Sequence, residues 1–137
     1  MRTILFVDDD QDDQLLFQEA LSEADSTAVY LSATDGVDLF EKLNTGKTAT
    51  PDLIFMDINM PKMNGIESLK ELKRSERFKS IPVIMYSTSS SKEHQKICLE
   101  SGAIGYVEKP NDFDQICARI KSILHNGLLF RQNDVPL

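Results

Sequence analysis

The sequence predicts an α/β fold in which one parallel sheet carries helices on both faces. Three observations carry that expectation. Short apolar runs alternate with segments of helical length five times along the chain. Consecutive parallel strands need helical crossovers, and those crossovers are right-handed. No internal repeat, low-complexity stretch or long linker divides the 137 residues, a length that suits one domain with a proper core.

Residues 3–7 (TILFV) form the first strand, which stops in Asp8-Asp9-Asp10. Residues 12–24 then place Leu16, Phe17, Ala20, Leu21 and Ala24 at helical spacing, with acids in the first turn where the helix dipole favours them. A weaker, more polar strand follows at 28–33. Asp35 caps the helix of Val37, Leu39, Phe40 and Leu43, which Asn44-Thr45-Gly46 ends. Pro51-Asp52 opens the third strand, 53–56, and Asn64 or Gly65 starts the helix of Ile66, Leu69 and Leu72. The fourth strand, 82–86, runs into the hydroxyl cluster Ser87-Thr88-Ser89-Ser90-Ser91. A polar helix spans 92–101, and a short last strand is expected over 102–107. Asn111 or Asp112 begins a final helix with Phe113, Ile116, Ile120, Ile123 and Leu124 on one face, ended by Asn126-Gly127.

Composition narrows the function. Twenty-two acidic against 15 basic side chains give a net charge of −7, which disfavours nucleic acid and anionic membranes as partners. The apolar run after Met1-Arg2 is too short for a signal peptide, and no stretch is long enough to span a bilayer, so the chain reads as cytoplasmic. Cys98 and Cys117 lack metal-site spacing and read as single half-buried thiols. His94 and His125 read as solvent-facing. The basic run Lys70, Lys73, Arg74, Arg77 and Lys79 reads as the complement of a helix C-terminus.

The chemistry lies at the strand ends. The first strand ends in Asp8-Asp9, the third in Asp57, the fourth in Ser87 and the fifth at Glu108-Lys109-Pro110. Neighbouring strands lie about 5 Å apart, so adjoining strands would gather three carboxylates, a hydroxyl and an ammonium in one crevice. Three carboxylates there repel one another unless a cation sits among them, and hard oxygen donors suit Mg²⁺. Carboxylates, a divalent ion, a lysine and a hydroxyl around one aspartate are what formation of an aspartyl phosphate needs.

Val7-Asp8-Asp9-Asp10, the run from Met56-Asp57 through Asn59-Met60-Pro61 to Gly65, Pro82 through Ser87, and Gly105 through Lys109-Pro110 together resemble the response-regulator receiver family over residues 3–125. The chain is most similar to the single-domain, chemotaxis-regulator type, with residues 1–126 as the receiver, 127–137 as a short tail and no output domain. The resemblance implies a flavodoxin-like (βα)5 sheet of order 2-1-3-4-5. It implies a phosphoryl group passed from a histidine kinase or histidine phosphotransfer protein to Asp57. By motif position, Asp9 and Asp57 would ligate Mg²⁺ directly, Asn59 through its backbone carbonyl and Asp8 through water. Lys109 would pair with the phosphate, the Lys109-Pro110 bond would be cis, Ser87 would turn its hydroxyl onto a phosphate oxygen, and Tyr106 would follow by changing rotamer. The implied output is a protein target on the face of the fourth helix, fifth strand and fifth helix, or a phosphorelay, from a monomer or weak homodimer. Such a protein is no enzyme beyond its own phosphorylation and dephosphorylation.

Two positions depart from the commoner family pattern. Ser87 stands where Thr is usual, which removes the methyl that restricts χ1, and Asn111-Asp112-Phe113 delays the aromatic that often follows the proline directly. Other classes fit worse. A haloacid-dehalogenase-type phosphatase needs a second Asp where Asn59 stands, and a flavin carrier needs a phosphate-cradling loop where Asp8-Asp9-Asp10 would repel one. A degenerate receiver acting as a phosphorylation-independent interaction module would have lost Asp9, Asp57 or Lys109, and all three are present. Leu128-Leu129-Phe130 puts three large apolar side chains beyond the last helix. They are expected to fold back on the domain or to cover a contact surface.

Overall fold

Each apolar run becomes a strand, and each amphipathic segment crosses back over the sheet. The computed structural model describes residues 2–126. The order is β1 (Thr3–Val7), α1 (Gln11–Ala24), β2 (Val29–Ala33), α2 (Gly36–Thr45), β3 (Leu53–Met56), α3 (Gly65–Arg74), β4 (Val83–Ser87), α4 (Lys92–Glu100), β5 (Gly105–Glu108) and α5 (Phe113–Asn126). All four strand pairings are parallel, in the order β2-β1-β3-β4-β5, as the resemblance implies. The expected tail, with Leu128, Leu129 and Phe130, lies outside the described residues.

Alternation along the strands divides the core in two. Leu5, Val7, Ile54, Met56, Val83, Met85 and Tyr106 face Leu39, Leu43, Leu69, Leu72 and Cys98 of α2, α3 and α4. Ile4, Phe6, Phe55, Ile84, Tyr86 and Val107 face Phe17, Ala20, Leu21, Ile116, Ile120 and Ile123 of α1 and α5. Phe6 stacks on Phe17 at 4.2 Å between centroids, and Tyr86 meets Phe6, Phe17 and Phe55 edge-on. This aromatic cluster lies under the carboxyl ends of the central strands.

Helix starts are fixed by short side chains. Asp10 accepts from Asp13 N–H, Asp35 from Asp38 N–H, Ser91 from His94 N–H, and Asp112 from Gln115 N–H. Asn64 and Glu67 form a reciprocal capping box at α3. Such caps contribute about 1 kcal/mol each.

Several expectations need correction. Residues 102–104 are a turn and not the start of β5. Gly102 has φ +111°, and the turn is tied to α4 by Gly102 N–H to Leu99 O and Ala103 N–H to Cys98 O. Leu16 does not face the core: it is 40% exposed, and Leu15 57%. The buried stripe of α1 runs through Phe17, Ala20 and Leu21, and Leu16 sits a quarter-turn off it. His94 is half-buried, with Nδ1 2.9 Å from Ser89 Oγ, whereas His125 is exposed as expected. Cys98 is fully buried, which pushes its thiol up to about 11, and Cys117 is half-buried; both are free.

The basic run is largely used within the fold. Lys73 Nζ donates to the Lys79 and Ile81 carbonyls, Arg74 pairs with Glu71, Lys79 pairs with Glu76, and Arg77 lies over the Phe78 ring.

One glycine sets the geometry of the β3–α3 turn. Gly65 N–H donates to Ile58 O at 2.9 Å, and a Cβ on Gly65 would lie 2.0 Å from the Asp57 carbonyl oxygen. Backbone cannot yield there as a flexible side chain would. Gly65→Ala is therefore expected to lower the unfolding free energy by about 2–3 kcal/mol in a urea melt. Gly46→Ala would not meet this obstruction, because nothing lies within 4 Å of the Cβ position at Gly46; its positive φ of 71° carries only the usual left-handed cost.

Candidate functional site

Register brings the polar strand ends together. Val7 pairs with Met56, so Asp8 and Asp57 leave adjacent strands at one level, and Asp57 N–H donates to Val7 O. Ser87 is in register with Glu108, and Lys109 N–H donates to Ser87 O at 2.8 Å. Asp8, Asp57 and Ser87 are buried, while Asp9 is exposed at the rim. Carboxylate oxygens of Asp8, Asp9 and Asp57 lie within 4.8 Å of one another.

The charge balance is lopsided. Lys109 Nζ donates to Asp8 Oδ2 at 2.7 Å and to Asp13 Oδ2 at 2.8 Å, and stands 3.8 Å from Asp57 Oδ1. It also lies 5.8 Å from the centroid of the Tyr86 ring. Burial pushes the Asp57 carboxyl up to about 6 against the pull of Lys109, and the charges of Asp8 and Asp9 push the same way. Burial also raises Asp8, although Lys109 and the Asp10 N–H favour its ionised form. Lys109 is itself held well above the usual lysine range: burial opposes its charge, but Asp13, Asp8 and Asp57 outweigh that.

The set fits a hard divalent cation. Three convergent carboxylates with one partial counter-charge are under-neutralised, and a small oxygen-seeking ion relieves that. Asn59, two residues beyond Asp57, is exposed in the loop where Lys62 takes φ 62°.

A second group of contacts leads away from the crevice. Ser87 Oγ accepts from Ser89 N–H at 3.2 Å, and the fully buried Tyr106 donates from its hydroxyl to Ser89 O at 2.8 Å. Burial raises the Tyr106 hydroxyl, with hydrogen bonding to Ser89 and Ser87 acting against it. Ser89 Oγ meets His94 Nδ1. Ser87 and Tyr106 are thus joined through one loop residue.

The candidate site residues Asp8, Asp9, Asp57, Ser87 and Lys109 lie at this end of the sheet, and Tyr106 reaches it through Ser89, with two amendments. No peptide bond among the described residues is cis, Lys109-Pro110 included. A prolyl bond prefers one isomer over the other by only about 0.5–1 kcal/mol, and with the trans bond Lys109 Nζ already reaches Asp8 and Asp13. The second amendment is Asp13, which sequence reasoning treated as dipole charge. A signal was present: Asp13 is four residues before Phe17, on the same stripe as Phe17, Ala20 and Leu21. A carboxylate at the mouth end of a core-facing stripe points over the strand ends.

The response regulator receiver domain model matches residues 4–121. The chain belongs to the response regulator receiver family. Chemotaxis protein CheY1 of Helicobacter pylori is 35% identical over 107 residues, covering 78% of this chain and 84% of that protein. The phosphorylated cyanobacterial phytochrome response regulator RcpA superposes with a TM-score of 0.85 at 29% identity, covering 93% of this chain and 94% of that one. The Mn²⁺-bound form of response regulator Rcp1 gives 0.81 at 25% identity, covering 100% of both. The receiver also spans about half the length of the curated transcriptional regulators it matches. Receiver domains bind Mg²⁺ at an acidic pocket and interact with histidine kinases and downstream targets. No helix among the described residues is long and apolar enough to cross a membrane.

The raised Asp57 carboxyl fixes a pH dependence in the absence of metal. Below about pH 4 the group is protonated whether the chain is folded or not, and it contributes nothing. Between about 4 and 6 the unfolded chain releases this proton while the folded one retains it, so stability falls as pH rises. Asp57→Asn is therefore expected to be the more stable protein at pH 7.5, by about 1–3 kcal/mol, with the difference vanishing near pH 4. Thermal melts in EDTA across that range measure it.

Proposed function

We propose that this receiver takes a phosphoryl group onto Asp57 from the phosphohistidine of a histidine kinase or histidine phosphotransfer protein, in a Mg²⁺-dependent reaction. The observation that carries the reading is the buried Asp57 carboxylate, which converges with those of Asp8 and Asp9 and stands 3.8 Å from the Lys109 ammonium. Even without metal, where burial raises its pKa to about 6, the group is largely ionised near neutral pH, as a nucleophile must be.

An Asp57 Oδ attacks phosphorus as the P–N bond of the phosphohistidine breaks. The new bond is the P–O of an acyl phosphate, and the leaving imidazole ends with the bonding pair and takes up a proton. Asp8, Asp9, Asp57 and the Asn59 backbone carbonyl are the residues that would hold Mg²⁺, Asp8 through water. When bound, the ion supplies positive charge to the phosphoryl oxygens. Lys109 offers a second charge, and Ser87 offers a hydroxyl donor.

Drawing the Ser87 hydroxyl toward the phosphoryl group disturbs its bond with Ser89 N–H, and Ser89 in turn holds Tyr106 and His94. That supports an output surface on α4, β5 and α5, engaged by a cytoplasmic protein target or by the next histidine of a phosphorelay, by a monomer or weak homodimer. The protein catalyses nothing beyond its own phosphorylation and dephosphorylation. A purely phosphorylation-independent interaction module would have no use for this arrangement of Asp9, Asp57 and Lys109.

Acetyl phosphate with Mg²⁺ is expected to add one phosphoryl group to the intact protein and none to Asp57→Asn, read by mass spectrometry. Equal labelling of the variant would move the acceptor elsewhere. Lys109→Ala and Ser87→Ala are each expected to keep Mg²⁺ binding nearly intact while losing most of the amide chemical-shift change in α4, β5 and α5 on adding beryllofluoride. Shifts as large as those of the wild type would remove both residues from the relay.

A further inference from the structure

Lys109 has three ammonium hydrogens and is offered more than one carboxylate, so its position is a competition. Asp8 takes one hydrogen at 2.7 Å from inside the crevice. Asp13 takes another at 2.8 Å from α1, across the mouth. Asp57 Oδ1, at 3.8 Å, is within ion-pair reach but beyond hydrogen-bond length. The side chain of Lys109 is only 10% exposed, so water cannot easily replace a lost partner, whereas Asp13 is 33% exposed. Asp13 is also fixed from its backbone, because its N–H donates to the Asp10 carboxylate that caps α1.

We propose that Asp13 is a positioning residue that holds the Lys109 ammonium off the Asp57 oxygens, keeping the acceptor carboxylate uncovered until a phosphoryl group arrives. This rests on the reading of Asp57 as the acceptor. The argument is one of available acceptors. Without the Asp13 carboxylate, the freed hydrogen of Lys109 has Asp57 Oδ1 about 1 Å beyond bonding distance, and closing that gap makes a charge-assisted bond. The bond would occupy a lone pair of the nucleophile and withdraw the ammonium from the place where a phosphoryl oxygen is to sit. Helix α1 thereby enters the chemistry through the first turn, ahead of the core contacts of Phe17.

Crystal structures of metal-free wild type, Asp13→Ala and Asp13→Glu, with acetyl phosphate labelling rates for each, test this. In Asp13→Ala, which removes the acceptor, the Lys109 Nζ to Asp57 Oδ1 distance is expected to close to about 3 Å, and labelling to slow by about fivefold at saturating Mg²⁺. Asp13→Glu, which restores a carboxylate, is expected to recover most of the rate. Mg²⁺ affinity, measured separately by titration, is expected to change by less than about twofold, since Asp13 is not among the carboxylates that would hold the ion. A distance that stays near that of the wild type, or an unchanged labelling rate, overturns the proposal. Wild-type protein that takes no label refutes the reading of Asp57 instead, and the distance still decides whether Asp13 positions Lys109.

Discussion

One ammonium group placed among buried carboxylates is the interaction on which the mouth of this sheet depends. Asp8 and Asp57 are driven into poor solvent by the apolar runs that precede them, and each would be costly there alone. Lys109 offsets part of that cost for both, yet bonds directly to only one of them. The remaining imbalance leaves the carboxylates under-neutralised, a charge pattern that suits a hard divalent cation. A fully neutralised crevice would be more stable and chemically inert.

The scaffold is stiff where the balance is struck. Aromatic rings of Phe6, Phe17, Phe55 and Tyr86 pack under the central strand ends, and parallel register holds Asp8 level with Asp57. The β3–α3 turn closes so tightly on the Asp57 carbonyl that Gly65 has no room for a methyl group. Ser87 and Lys109 stand at the ends of the paired strands β4 and β5, on the same side of the sheet mouth.

Sequence patterning revealed the sheet and its ends because both follow from local periodicity and from where apolar runs stop. Asp8, Asp57, Ser87 and Lys109 could be placed together once the strands were recognised as parallel. Asp13 was harder to see, because a first-turn acid on a helix already has a sufficient explanation in the dipole, and only the rotation of α1 shows it sharing a stripe with Phe17. The same rotation removes Leu16 from the core. The start of β5 was misplaced because Gly102-Ala103-Ile104 is apolar enough to pass for a strand, while the positive φ at Gly102 is a property of the turn that closes α4. The prolyl isomer after Lys109 could not be deduced from residue type, since the two forms differ by so little in free energy.

Ser89 has a consequence that extends past the crevice. Its amide, carbonyl and hydroxyl bond Ser87, Tyr106 and His94, which belong to β4, β5 and α4, and the hydroxyl also accepts from Ser91 N–H. A residue tethered to three elements cannot give up one contact and leave the others undisturbed, so this loop couples β4, β5 and α4. The start of α4, a helix whose only fully buried residue is Cys98, is thereby tied to the sheet mouth.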